Sequence, residues 1–217
     1  MMVSSGIGAP ARAAAAIVLS MGWAVTFVAA VEQDRLYPLL GTAAAVVAVA
    51  SVALSSSVRA SVRPTIRDVV LGFVVGVVLV VGTHVGYALL VDVLPGLGTD
   101  VARLYGVAAV TPPRLAVVIL IAVAEELLWR GLLLDALQQR RWLRWQVAGM
   151  DAPGVLVAAV VYGAAQAGPR SAWLVVAGVG LGVVWGLMGL RSRGLWMPIV
   201  AHLVWTLTVL GAWPLRQ

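Results

Sequence analysis

This chain contains seven apolar stretches that fill most of its 217 residues. They lie at roughly 13–31, 36–58, 69–94, 115–138, 154–168, 171–190 and 195–212. A helix needs about 17 to 25 apolar residues to cross a bilayer, and every stretch except the fifth approaches or exceeds that length. Only 11% of the residues are charged, against about 25% in soluble proteins. The sequence therefore predicts an all-α fold, a polytopic membrane helical bundle of about seven transmembrane helices.

Two features of the composition exclude whole classes of function. The chain has no cysteine, which excludes disulfides, thiolate nucleophiles and cysteine-ligated metals. Its net charge of +6 comes from arginines that are scattered at helix ends and do not gather on one face. We therefore expect the lipid bilayer, and no nucleic acid, as a partner.

The arginines also predict an orientation, because cytoplasmic loops of membrane proteins are enriched in basic residues. With the N-terminus inside, the inner segments hold Arg12, Arg59, Arg63, Arg67, Arg140, Arg141, Arg144, Arg191 and Arg193. The outer segments hold only Arg35, Arg103, Arg114, Arg170 and Arg216. This bias predicts a multi-pass protein of the cell membrane with a cytoplasmic N-terminus and an outer C-terminus.

Three ionisable residues stand inside the fourth apolar stretch. Glu125 is ten residues past Leu115, which places it about 15 Å deep at 1.5 Å per residue, and Glu126 and Arg130 follow it. A charge at the bilayer centre costs about 2.5–3.5 kcal/mol on insertion scales. Such residues usually mark a pathway or a catalytic centre, although a buried ion-pair cluster that only joins helices is the alternative.

The spacing of these residues assigns them different partners. Glu126 and Arg130 are four residues apart and can pair on one helix face. Glu125 is rotated by about 100° from Glu126 and points elsewhere. Arg130 can therefore hold Glu126, while Glu125 remains available as a general base toward water.

Polar residues of two later stretches fall at a similar depth. By the same rise per residue, Gln166 lies about 18 Å from the inner face, and His202 and Thr206 lie about 10 and 16 Å from it. His202 and Thr206 are four residues apart and share a face. The sequence therefore predicts one polar layer that contains these residues and Glu125. The second histidine, His84, is interpreted as a packing residue bonded to a carbonyl or to Thr83.

Short motifs in the C-terminal half carry a family resemblance. The first is two glutamates, three residues and an arginine, here Glu125, Glu126 and Arg130. The second begins with an aromatic residue, here Tyr162, and four positions later this chain has Gln166.

The third motif pairs a histidine with a polar residue four positions later, here His202 and Thr206. A glycine-rich lead-in at residues 182–198 precedes it. On these motifs, residues 115–212 resemble the CPBP family of intramembrane endopeptidases, which includes the CAAX proteases and the bacteriocin-processing (ABI) proteins.

The resemblance implies a role for each matched residue. In the family, the first glutamate and the histidine of the second motif activate water, and the third motif stabilises the oxyanion. Glu125 would then be the base, Glu126 and Arg130 a supporting pair, and His202 an oxyanion donor. The implied substrate is a membrane-embedded or membrane-associated peptide or protein.

Two positions depart from the family pattern. Gln166 stands where the family has histidine, and it can orient water but cannot take its proton. Thr206 replaces asparagine or aspartate and keeps a hydroxyl donor. The resemblance also divides one integral membrane domain into residues 1–114, a three-span region, and residues 115–217, a CPBP-like catalytic core.

Three interpretations of function stay open at this point. The leading one is an intramembrane endopeptidase. The second is a catalytically impaired relative that acts as a membrane binding or scaffold protein, which Gln166 and Thr206 favour. The third is a small transporter that uses Glu125, Glu126 and Arg130 as a proton relay, and it ranks last because the sequence shows no internal repeat. We expect no cofactor and no metal, since the chain has two histidines and no HExxH motif.

Overall fold

The computed structural model describes residues 8–139, 146–147, 150–192 and 194–215. The described chain is almost entirely helical, which confirms the predicted all-α class. Of the arginines used to predict the orientation, five lie outside the described residues: Arg140, Arg141, Arg144, Arg193 and Arg216.

The first two helices form an antiparallel hairpin. Helix α1 spans Ala9–Glu32 and helix α2 spans Leu36–Leu54. The turn between them places Asp34 in the left-handed region, with φ of 52°. Both helices pack on each other and, with their buried faces, on the later helices that carry the polar motifs. Their outer faces expose apolar side chains, as expected of helices that face lipid.

Side-chain caps begin the next two helices. The hydroxyl of Ser55 accepts a hydrogen bond from the backbone of Val58 at the start of α3, Ser56–Ser61. Thr65 accepts one from Asp68 at the start of α4, Ile66–Leu90. Helix α4 packs closely on the last helix of the chain at Gly72. A Cβ at this position would lie only 2.5 Å from the carbonyl oxygen of Met197, so no larger residue fits.

The fourth predicted span, residues 115–138, is one continuous helical segment, and the chain bends sharply just before it. Helix α5, Leu97–Ala108, and the segment Pro112–Gln138 meet at an angle of 73°. The segment begins with a 3₁₀ turn at Pro112–Arg114 and continues as α6, Leu115–Glu126. It then widens into a π-helical stretch, Leu127–Leu134, and closes with α7, Asp135–Gln138.

The remaining helices complete the bundle. A two-residue antiparallel pair, Gln146–Val147 (β1) with Met150–Asp151 (β2), precedes helix α8. The last three helices are α8, Ala152–Ala165, α9, Ala172–Ser192, and α10, Trp196–Leu207, and a π-helical turn at Thr208–Ala212 follows α10. Helices α8 and α9 touch through glycines, since a Cβ at Gly163 would lie 2.7 Å from the carbonyl oxygen of Val175.

The apolar helices of the described part of the chain fit the predicted membrane bundle. Four helices in the described part of the chain, α1, α2, α4 and α9, are long and apolar enough to cross a membrane, and the bent pair that contains α5 and α6 could make a fifth. The other two apolar segments, Ala152–Ala165 and Trp196–Ala212, are shorter. The chain is thus a helical membrane bundle in which the second and third motifs lie on or beside these two shorter apolar helices.

Candidate active site

Both glutamates of the first motif are buried at the point where the helix changes its winding. Glu125 and Glu126 are the last two residues of α6, and the π-helical stretch begins at Leu127. Glu125 is 7% exposed and Glu126 is fully buried. A π-helical turn inside a helix is rare and is found frequently at functional sites.

Glu126 and Arg130 form the ion pair that their spacing predicted. Nη1 of Arg130 donates to Oε1 of Glu126 at 3.1 Å, and both side chains are almost completely buried. Nη2 of the same guanidinium lies 3.4 Å from the carbonyl oxygen of Gly182 on α9. The guanidinium is thereby tied to its own helix and to a neighbour.

Two aromatic rings complete the surroundings of this guanidinium. The central carbon of Arg130 lies 4.8 Å from the ring centre of Tyr162 and 5.3 Å from that of Trp185. Contacts of this kind stabilise a buried cation by about 0.5–2 kcal/mol, and by more where water is excluded. The charge of Arg130 is therefore held by a carboxylate, a carbonyl and two π faces.

Glu125 points away from that pair, as predicted. Its Oε1 accepts a hydrogen bond from Nε2 of Gln166 at 3.3 Å. Its Oε2 lies 3.6 Å from Nε2 of His202. Gln166 directly follows the end of α8 and His202 is on α10, so Glu125 connects three segments of the chain.

His202 occupies the space between the two carboxylates. Its Nδ1 lies within hydrogen-bond distance, 2.7 Å, of Oε1 of Glu126, while its Nε2 faces Glu125. The imidazole stacks on Trp185 with ring centres 4.2 Å apart and planes inclined by 20°. The two carboxylates therefore fix the ring within its plane, and Trp185 supports its face.

The predicted polar layer surrounds a single cavity. Glu125, Gln166, His202 and Thr206 all line a cavity of about 140 Å³. Such a volume exceeds the roughly 10–15 Å³ that one water molecule needs. Within the described residues, Oγ1 of Thr206 is buried without a hydrogen-bond partner. Glu126 and Arg130 are not among the residues that line the cavity. Glu126 contacts the cavity residue His202 on the side away from Glu125.

The second histidine takes no part in this cavity. Nδ1 of His84 lies 2.9 Å from the carbonyl oxygen of Val80, and Nε2 lies 3.0 Å from that of Trp213. Its ring also stacks on Trp213 at 4.0 Å between centres. The interpretation of His84 as a packing histidine bonded to a carbonyl is confirmed.

The aromatic residues that contact His202 and Arg130 were not identified from the sequence. Trp185 contacts both His202 and Arg130, and Tyr162 contacts Arg130, yet neither was named as a site residue. The position of Tyr162 at the start of the second motif was the available signal. The apolar wall of the cavity includes Trp23 and Phe27 of α1, which lie far away in sequence and carry no motif. In the described ranges, no group of three or more His, Asp or Glu side chains is placed to hold a metal ion.

One family model matches the part of the chain that carries these motifs. The family model of the type II CAAX prenyl endopeptidases, Rce1-like, matches residues 108–208. No curated protein and no solved structure matches the chain. The matched range contains all six predicted site residues, which are Glu125, Glu126, Arg130, Gln166, His202 and Thr206. Residues 108–208, a little less than half of the chain, are thus similar to the type II CAAX prenyl endopeptidases.

Proposed function

We propose that this protein is an intramembrane endopeptidase in which Glu125 activates a water molecule for attack on a peptide bond. The observation that carries the proposal is the placement of the Glu125 carboxylate in the wall of a cavity large enough for water, beside an amide and an imidazole. A general base must lie within hydrogen-bond reach of the proton that it removes, and a water molecule in this cavity meets that requirement.

Gln166 orients this water molecule, and Glu125 removes its proton. The amide of Gln166 already donates to Glu125 through Nε2, which leaves its carbonyl oxygen able to accept from the water. Only Glu125 can take the proton, and it returns the proton to the leaving amine when the tetrahedral intermediate collapses. One residue then performs both proton transfers, so we expect slow turnover.

His202 and Thr206 are the candidates for stabilising the oxyanion. Two carboxylates lie against one guanidinium and one imidazole. Nδ1 of His202 faces Glu126, and Nε2, on the side of Glu125, is the ring nitrogen that can approach the reacting carbonyl. The hydroxyl of Thr206 supplies a second donor, because it has no partner among the described residues.

The family match supports the general kind of substrate. The matched family is described as CAAX prenyl endopeptidases, which act on membrane-associated proteins. The mainly apolar wall of the cavity suits apolar side chains of a membrane peptide. We therefore propose that the substrate is a membrane-embedded or membrane-associated peptide or protein.

A second candidate function is a membrane binding or scaffold protein that has kept the cavity and lost turnover. The replacement of histidine by Gln166 favours it, because losing one acid–base group typically lowers a rate by 10²–10⁴-fold. A cleavage assay separates the endopeptidase from the scaffold protein. Purified protein in lipid nanodiscs is incubated with a prenylated C-terminal peptide and with an unmodified transmembrane peptide, and new termini are identified by mass spectrometry.

The control is Glu125→Ala in the same nanodiscs. Cleavage by the wild type that is absent from Glu125→Ala supports the endopeptidase. Binding of a peptide by both proteins, with no new terminus from either, supports the scaffold.

A further inference from the structure

A groove on the outside of the bundle, remote from the glutamates, combines charge with an apolar wall. It lies between the start of α4 and the end of α9, and it encloses a cavity of about 480 Å³. Arg67 and Arg191 stand at its mouth. Its apolar wall includes Leu71, Val75, Val184, Leu187 and Met197.

The two arginines at the mouth are free to bind an external anion. Both side chains are exposed, and neither forms an ion pair with another described residue. The nearest acid in the groove, Asp68, is engaged at the N-terminus of α4, where its Oδ2 accepts a hydrogen bond from Thr65 at 2.8 Å. A guanidinium binds phosphate oxygens in pairs, so a cavity lined by two of them is suited to a phosphate group.

A second apolar cavity, lined by residues of α4, α5, α9 and α10, adjoins the groove at Val184. This second cavity is almost wholly apolar, has a volume of about 620 Å³ and reaches Leu79 and Tyr87. Leu79 is twelve residues past Arg67, which corresponds to about 18 Å along α4. One leaflet of a bilayer has a hydrocarbon depth of about 15 Å, half of the total thickness.

We propose that this groove is a binding site for one anionic phospholipid. The phosphate sits between Arg67 and Arg191, and an acyl chain runs past Val184 into the second cavity. Basic pockets between membrane helices on the cytoplasmic side bind anionic head groups, and the predicted orientation places this face in the cytoplasm. Charge alone would also suit free phosphate, but the apolar wall below the arginines assigns the site to a lipid.

The test counts bound lipid by native mass spectrometry of the full-length protein in detergent. The protein is titrated with dioleoylphosphatidylglycerol or with dioleoylphosphatidylcholine. We expect one tightly bound phosphatidylglycerol and weaker binding of the zwitterionic lipid. Each of Arg67→Gln and Arg191→Gln should weaken phosphatidylglycerol binding about fivefold, and the double variant about 30-fold.

Two controls separate this site from a general attraction of basic residues. Arg63→Gln removes an exposed arginine near the same end of α4 but outside the groove, and it should leave the affinity unchanged. The double variant Arg67→Lys and Arg191→Lys keeps both charges but loses the paired hydrogen bonds, so its affinity should lie between those of the wild type and the double glutamine variant. The single glutamine variants decide the question if the double variant does not fold.

Three results would overturn the proposal. They are equal phosphatidylglycerol affinity in wild type and glutamine variants, an equal loss in Arg63→Gln, and displacement of the lipid by inorganic phosphate at the same concentration.

Discussion

Oε1 of Glu126 lies 2.7 Å from Nδ1 of His202, and the same oxygen accepts the hydrogen bond from Arg130 at 3.1 Å. One buried oxygen atom thus holds a cation from its own helix and an imidazole from α10. Glu126 is therefore a positioning residue for His202, whereas Glu125 faces the cavity.

The first prediction concerns stability. Arg130→Ala should lower the free energy of unfolding by about 3–5 kcal/mol, because it leaves the Glu126 carboxylate buried without its guanidinium. Glu125→Gln should change it little, since an amide can keep the contact with Gln166. Thermal unfolding in detergent measures both variants. Equal destabilisation by the two changes would mean that the carboxylates act as one structural cluster.

The second prediction restores the family residue of the second motif. Gln166→His should raise kcat at least tenfold, because a well-placed acid–base group is worth about 10²–10⁴. His84→Ala, which changes the histidine outside the cavity, should leave kcat unchanged. Initial rates of the wild type and both variants on one membrane peptide measure these effects. Lost activity in His84→Ala would promote that residue over Gln166.

The third prediction tests the unpartnered hydroxyl of the cavity. Thr206→Val keeps the shape and removes the donor, and loss of one oxyanion donor typically costs about 10²–10³ in kcat. We expect a fall of about 10²-fold with little change in KM, and near-normal rates in Thr206→Ser. Full activity in Thr206→Val would assign the side chain to packing.

The fourth prediction concerns orientation. The chain has no cysteine, so single cysteines can be labelled without background. Gln33→Cys, in the turn between α1 and α2, should react with an impermeant maleimide in intact cells. Arg63→Cys, before α4, should react only after permeabilisation. The reverse pattern would place the N-terminus outside.

The polar layer could be predicted because depth follows from a constant rise. Straight helices advance 1.5 Å per residue, so Glu125, Gln166, His202 and Thr206 could be placed at similar depths from their positions alone. The division between Glu125 and Glu126 followed from helix geometry in the same way. Both predictions depend only on the spacing of residues along a helix, which is known from the sequence.

The remaining features depend on packing between distant segments. The 73° bend before α6 and the π-helical stretch after Glu126 have no periodic signature in the apolar run. The stacking of Trp185 on His202 needs the relative rotation of α9 and α10, which spacing within either helix does not define.

The most direct test of the proposed mechanism is kcat of Glu125→Gln beside the wild type, measured on one membrane peptide in nanodiscs. The substitution removes the base and preserves the size and hydrogen-bonding reach of the side chain. If Glu125 takes the proton from water, kcat falls by about 10²–10⁴-fold while KM and the unfolding temperature change little. Retention of wild-type kcat by Glu125→Gln in folded protein would contradict the role of Glu125 as the base.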